Sequence, residues 1–203
     1  MFLVGQGWAA DPTAAITRAG SLAERAVALD PDDARALTIA GHVQAFLHHR
    51  IPEARALHKR ALSLNPNLPL AWGFAGLAQS YAGEHDDAIR LIGHTLRLSP
   101  FDPHGFFFQT ALMMPLLLTG QYENVVDLAH RALALNPFLS STYKGLLSAL
   151  GHLGRDREAN ETRRRLLQLE PGFDLEQAAA RSPLLRPTDI TLYVQGLHRG
   201  GLA

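Results

Sequence analysis

The repeating pattern of this chain is clearest in residues 69–100, which read PLAWGFAGLAQSYAGEHDDAIRLIGHTLRLSP. Apolar and small residues follow helical spacing up to Ala82, Gly83 interrupts the pattern, and a second helical pattern runs from His85 to Leu98. A Ser-Pro pair follows, and the residue before a proline is pushed out of the helical region of backbone space. The stretch therefore predicts two helices joined by a short turn.

The Leu-x-Pro triplet that ends this stretch occurs five times, and its prolines are separated by 35, 34, 37 and 34 residues. Such regular spacing is typical of stacked units, none of which buries its apolar face alone. We predict one all-α domain over residues 1–203. It consists of a partial leading repeat (1–31), four repeats (32–66, 67–100, 101–137 and 138–171) and a C-terminal cap (172–203).

The repeat resembles the tetratricopeptide repeat (TPR), a 34-residue pattern with Trp, Leu-Gly, Tyr, Ala, Phe and Pro in that order. The second unit matches it best, with Trp72, Gly76, Ala88 and Pro100 at pattern positions. The other units match at Leu37, Gly41, Ala54, Ala61 and Pro66, at Gly120, Ala132 and Pro137, and at Tyr143, Gly154, Ala159 and Pro171. The resemblance implies a right-handed α-solenoid of helix-turn-helix repeats with a C-terminal capping helix.

Four further stretches of sequence indicate which group of TPR proteins this chain resembles. They are Phe101-Asp102-Pro103, Leu135-Asn136-Pro137, residues 151–155 (GHLGR) and residues 193–197 (YVQGL). Together they resemble the C-terminal TPR region of bacterial class III adenylate/guanylate cyclases, and similar regions close TPR-bearing winged-helix regulators. The cyclase and DNA-binding segments of those families have no counterpart in this chain. The resemblance implies the regulatory or oligomerisation part of a bacterial signalling protein. The alternative is a free-standing adaptor that binds a partner peptide or helix in its concave groove.

In TPR proteins the first helix of each repeat lines that groove, so the resemblance also predicts which side chains bind a partner. They are Arg35, Thr38, His42 and Phe46 in the first repeat, Leu70, Leu77 and Tyr81 in the second, Phe107, Thr110, Met114 and Leu118 in the third, and Lys144, Ser148 and His152 in the fourth. An apolar middle with polar ends is typical of a helix-binding or self-association surface. A second interpretation stays open, in which residues 106–118 are core or are covered by the chain's own terminal helices.

Residues for catalysis or metal binding do not form a recognisable pattern. The chain has no cysteine, which removes thiol nucleophiles and thiolate zinc ligands. It has no Gly-x-Ser-x-Gly motif and no glycine-rich phosphate loop. His42, His48, His49 and His58 cluster in the first repeat, without the i, i+4 spacing that places two ligands on one helix face. We predict a protein-binding chain without enzymatic activity, cofactor or metal.

Charge and hydropathy argue against two further classes of partner. Lys plus Arg is 19 and Asp plus Glu is 19, so the formal net charge is zero. A nucleic-acid binder instead presents a net basic face to the phosphates. The most apolar stretch, residues 106–118, is shorter than the roughly 20 residues that cross a bilayer. Residues 1–4 lack the basic region of a signal peptide. We expect a cytoplasmic protein whose partners are proteins or peptides, including a second copy of itself, rather than nucleic acid or membrane.

The two ends and one proline depart from the repeat. Residues 1–10 are too few for the first helix of the leading repeat, which favours a chain that is the C-terminal part of a longer protein. Pro115 is expected to bend the first helix of the third repeat. At the C-terminus we predict a short helix over residues 175–181 and a last helix capped by Thr188. The predicted apolar stripe of that last helix is Ile190, Val194 and Leu197.

Overall fold

The computed structural model describes residues 9–203, and every regular element in this range is a helix. The helices are α1 (Pro12–Leu29), α2 (Ala34–Phe46), α3 (Ile51–Leu64), α4 (Pro69–Ala82), α5 (His85–Leu98), α6 (Gly105–Leu118), α7 (Tyr122–Leu135), α8 (Ser140–Leu153), α9 (Asp156–Leu169), α10 (Leu175–Ala180) and α11 (Pro187–Arg199). Short turns join them in pairs. The predicted all-α fold of helix-turn-helix units is confirmed.

Contacts divide the chain after Pro100 into two compact units. In unit 1, α2 pairs with α3 and α4 pairs with α5, while α4 also packs on α2 and α3 and α1 packs on α2. In unit 2, α6 pairs with α7 and α8 pairs with α9, while α8 also packs on α6 and α7. Each unit therefore contains two helical hairpins, the second stacked on the first, and the remaining helices are α1 in unit 1 and α10 and α11 in unit 2.

The turns between hairpins have a shared chemistry. The side-chain oxygens of Asp30, Asn65 and Asn136 each accept a hydrogen bond from the backbone N–H two residues further on, at 3.1, 3.0 and 3.0 Å. This is the Asx turn, which competes with the helix and stops it together with the following proline. Trp72 Nε1 and Tyr143 Oη then donate to the carbonyl of the turn proline, at 2.7 and 3.0 Å. The residues that define the repeat in sequence thus also fold the turn between repeats.

Two of the turns within hairpins place a glycine directly after the first helix. Gly83 ends α4 with φ 86° and Gly154 ends α8 with φ 67°. A residue without a Cβ adopts this left-handed conformation at little cost, which explains why a glycine follows each of these helices. The second helix of each hairpin then starts two residues later, at His85 and at Asp156.

Glycines also set the distance between paired helices in unit 1. A Cβ built on Gly41 would lie 2.5 Å from Nε2 of His58, and one built on Gly76 would lie 2.6 Å from Cγ1 of Ile92. Real Cβ atoms do not approach neighbours this closely, so both positions need a glycine while their neighbours stay in place. The small residues of the repeat pattern therefore permit close contact between the helices of a hairpin.

Helix α6 has no small residue at the corresponding position of its repeat, and its packing differs from that of α2 and α4. Met113 occupies the position and is 1% exposed. It fits because the facing residue of α8 is Gly145, where a Cβ would lie 2.8 Å from Cε of Met113. The helix runs without interruption through Pro115, and the hydroxyl of Thr119 donates to the Pro115 carbonyl at 2.8 Å.

The chain ends differ from the sequence prediction in detail. The incomplete helix predicted for the leading repeat falls almost entirely in residues 1–8, which lie outside the described range. Helix α1 starts after Asp11, whose carboxylate accepts from the backbone N–H of Ala14 at 2.9 Å. The prediction that Thr188 caps the last helix is wrong, because α11 already begins at Pro187. A proline at the first helical position has its φ preset and lacks the N–H that would be left without a partner there.

Candidate protein-binding surface

The groove residues predicted in unit 1 lie on α2 and α4, and most of them are buried. Thr38 is fully buried and donates to the Ala34 carbonyl at 2.6 Å. His42, Leu77 and Tyr81 are each 6% exposed. Arg35 is exposed, and Phe46 and Leu70 are partly exposed. In unit 1, only these last three predicted side chains reach the surface.

An aromatic cluster explains the burial of His42. Its ring stacks on Phe74 with centroids 4.0 Å apart and an interplanar angle of 10°, and it stacks on Phe46 at 5.6 Å. Phe46 in turn lies 6.2 Å from Tyr81. Phe74 was not among the predicted site residues. Its position three residues before Leu77 on an apolar helix was the available signal, and that signal indicates core as much as surface.

His58 on α3 is the second buried histidine of unit 1, with 2% of its surface exposed. Burial, together with a smaller effect of repulsion from His58, lowers the pKa of His42 to about 3. Burial also lowers the pKa of His58 to about 4. Both rings are therefore neutral core side chains near neutral pH. Within residues 9–203, His, Asp and Glu side chains form no group of three that could hold a metal ion.

Helix α6 of unit 2 carries the apolar part of the predicted surface. Its 14 residues include no charged side chain, and Phe107, Met114 and Leu118 remain partly exposed. Thr110, also partly exposed, shares a hydrogen bond with the hydroxyl of Thr142 at 2.7 Å. An apolar helix that keeps phenylalanine and methionine side chains at the surface is the kind of feature that marks an interaction site.

The predicted residues of α8 instead contact the chain's own C-terminal segment. The buried hydroxyl of Ser148 donates to the carbonyl of Tyr193 at 2.9 Å. Nε2 of His152 lies 2.9 Å from the carbonyl oxygen of Leu192, and because a carbonyl can only accept, this nitrogen carries the hydrogen. The His152 ring also stacks on Tyr122 at 4.6 Å. This face of α8 is therefore occupied.

Lys144 takes part in a buried ion pair below the same segment. Its Nζ lies 2.7 Å from a carboxylate oxygen of Glu170, and the other oxygen pairs with Arg181. The ammonium group also sits 4.2 Å from the centre of the Phe173 ring. Burial lowers the pKa of Lys144 to about 8, although Glu170 opposes this change. Burial alone would raise the pKa of Glu170, but its two cationic partners lower it below its ordinary value.

The structure thus separates the predicted residues into three groups that helical periodicity could not distinguish. Some are core, as in the aromatic cluster of unit 1. Those of α8 lie beneath α10, α11 and their flanking residues. Others stay partly exposed, most clearly on α6. Periodicity identifies the side of a helix, but it does not say what covers that side.

Comparisons with known proteins address the fold. No helix in the described part of the chain is long and apolar enough to cross a membrane. No protein-family model matches the sequence. No curated protein matches it either.

Solved structures do match. PilW, a widely conserved type IV pilus biogenesis factor, has a TM-score of 0.67 and 16% identity, with 88% of this chain and 82% of that chain covered. PilF of Pseudomonas aeruginosa has a TM-score of 0.64 and 14% identity, covering 95% and 86%. YrrB, a TPR protein with an unusual peptide-binding site, has a TM-score of 0.57 and 16% identity, covering 88% and 90%. At these identities the similarity concerns the fold alone, and this chain has the fold of tetratricopeptide-repeat proteins.

Proposed function

We propose that this chain is a non-catalytic protein–protein interaction module that binds a partner peptide or helix on the first helices of its repeats. The observation that carries the proposal is α6, a helix without any charged residue that keeps Phe107, Met114 and Leu118 partly exposed. Leaving such side chains in water is unfavourable, and a partner's apolar residues would remove them from it. The peptide-binding site of YrrB, which has the same fold, supports this type of function.

The chemistry of α6 also indicates the kind of partner. Phenylalanine offers a large flat surface, and methionine adapts its shape to different neighbours. The apolar face of an amphipathic helix, or alternate side chains of an extended peptide, would fill such a surface. We expect affinity to depend on the apolar residues of the partner rather than on its charge.

The cellular context rests on the resemblance to the TPR regions of cyclases and winged-helix regulators. It favours a regulatory or oligomerisation role in a bacterial cytoplasmic signalling protein. A free-standing adaptor fits the fold equally well. An immunoblot of the source cell separates the two, since a band well above 22.1 kDa supports the first and a band at that mass supports the second. In either case a nucleotide-cyclase assay of this chain alone should be blank, and clear activity would contradict a non-catalytic role.

The binding surface can be tested by charge substitution on α6. In crosslinked pull-downs with the tagged chain, Met114→Glu should reduce partner capture by about tenfold, which corresponds to ~1.4 kcal/mol. The matched control is Leu135→Glu, at the end of α7, where the leucine is 58% exposed. Leu77 is unsuitable because it is buried, and a charge there would disturb the core. Equal capture by both variants, with unchanged circular dichroism, would remove α6 from the binding surface.

A further inference from the structure

Helix α11 packs on α8 with unusually close backbone contact. A Cβ built on Gly151 of α8 would overlap the carbonyl oxygen of Gly196 and lie 2.6 Å from the backbone nitrogen of Gly200. From the other side, a Cβ on Gly200 would lie 2.7 Å from Cδ1 of Leu147 and 2.9 Å from its carbonyl oxygen. The atoms met are largely backbone, so a small side-chain movement could not relieve these clashes.

The predicted apolar stripe of α11 is corrected by this contact. Instead of Ile190 and Val194, the buried side of the helix consists of Tyr193, Gly196 and Leu197. In the structure, Gly196 and Gly200 are four residues apart and form the surface on which α11 meets α8.

The polar contacts across this interface depend on the backbone of α11 rather than on its side chains. Ser148 and His152 of α8 both donate to main-chain carbonyls, those of Tyr193 and Leu192. Those carbonyls are accessible because Gly196 has no side chain; a Cβ there would lie 2.5 Å from the carbonyl oxygen of Ser148. The α8 face therefore fits a helix with two small residues four positions apart and an apolar residue beside them.

Helix α11 is the last regular element of unit 2, and one connecting segment joins it to the rest of the unit. Its main contacts are with α8, with fewer to α10 and α6. Residues 181–186 connect it to α10 without regular structure and include Pro183. The outer side of α11, including Thr191, Gln195 and His198, is exposed. A terminal element joined by such a connection can bind the same surface on another copy, since the same contacts form in either case.

We propose that the α8 face is a helix-docking site and that α11 is its tethered occupant, which a second copy of this chain can exchange. A second copy is the partner that the geometry favours because its α11 already carries the complementary glycines and the buried Tyr193 and Leu197. This inference rests on the proposed function, because α8 is the first helix of a repeat and the inference names one partner for its surface. Within a single chain the tether keeps α11 at millimolar effective concentration, so the exchanged form needs high protein concentration or weakened internal docking.

Two full-length variants test the exchange by complementation. Gly196→Ala leaves the α8 site unchanged but adds a methyl group to α11 that prevents its docking. Gly151→Ala adds the methyl group to the α8 site and leaves α11 unchanged. Each variant alone should be monomeric with α11 released, detected as faster tryptic cleavage after Arg199 at the end of that helix. Their mixture should form a dimer of twice 22.1 kDa in analytical ultracentrifugation, because the intact helix of one chain fills the intact site of the other. Gly105→Ala is the control, since a Cβ there meets nothing within 4 Å.

A labelled peptide of residues 187–203 provides a second measurement if Gly151→Ala does not fold. It should bind the Gly196→Ala chain at least about 100-fold more tightly than the wild-type chain, whose site is already occupied. The proposal is overturned if the mixture stays monomeric and the peptide fails to distinguish these chains, or if Gly196→Ala retains α11 as firmly as wild type. Partner capture through Met114 is a separate readout, so its survival in that case would leave the proposed function standing while the exchange fails.

Discussion

Acidification should destabilise unit 1 through its two buried histidines. His42 and His58 are held neutral, with pKa values lowered by burial from 6.5 to about 3 and about 4. When the chain unfolds, both rings return to water and to their ordinary pKa. Below pH 6.5 the unfolded chain therefore binds more protons than the folded one. Their contribution to stability is fully present above pH 6.5 and declines as the pH falls toward the folded values.

The size of the effect follows from these values. A difference of one pKa unit corresponds to about 1.4 kcal/mol. At about pH 5 the pH is roughly 1.5 units below the pKa of a histidine in the unfolded chain, while both rings in the folded chain are still mostly neutral. Each histidine therefore lowers the free energy of unfolding by about 2 kcal/mol. The two together should lower the free energy of unfolding by about 4 kcal/mol. That is a large share of the roughly 5–15 kcal/mol that stabilises an ordinary domain.

Urea unfolding followed by circular dichroism at about pH 7.5 and pH 5 measures this difference. In the double variant His42→Phe, His58→Leu the pH dependence should shrink by about 4 kcal/mol, because neither new side chain titrates. His104→Gln is the matched control, since the side chain of His104 is 82% exposed. If the double variant loses as much stability on acidification as wild type does, the protons bind elsewhere and the proposed role of the buried histidines is wrong.

Three further substitutions test the packing. Gly76→Ala should cost about 1–3 kcal/mol in urea unfolding, because its Cβ would overlap Ile92; an unchanged midpoint would show that the hairpin has room to move. Thr110→Val should cost about 1 kcal/mol, and a double-mutant cycle with Thr142→Val should show coupling between the two hydroxyls, whereas strict additivity would argue against their hydrogen bond. Lys144→Met should lower the melting temperature and cost about 3–5 kcal/mol, because it leaves a buried carboxylate without its main partner; no change would mean that the ion pair is solvated.

The helices of the repeats were predictable because their boundaries are local. Residues 69–82 and 85–98 were assigned from apolar spacing, one glycine and one Ser-Pro pair, and the structure has the same bounds for α4 and α5. Asx-Pro turns and left-handed glycines act within a few residues of the chain, so the sequence alone reports them. The start of α11 was misplaced by two residues because a proline at the first helical position was weighed less than a threonine cap.

The site was less predictable because its properties depend on distant residues. Nothing near His42 in sequence indicates that Phe74, 32 positions later, stacks on its ring. Ser148 was assigned to an open groove, yet its hydroxyl is satisfied by a backbone carbonyl 45 residues away. The interface of α11 was missed because its closest contacts are made at Gly196 and Gly200, and hydrophobic periodicity does not count glycine as apolar.

Photo-crosslinking in the source cell tests most directly whether the first-helix face of α6 binds a partner. A photoreactive phenylalanine analogue at position 107 would lie on that face. The same analogue at position 101 is the control, because Phe101 is 95% exposed and precedes the helix. We predict a crosslink to a second polypeptide from position 107 and none from position 101. Equal crosslinking from both positions, or none from either, would contradict the account.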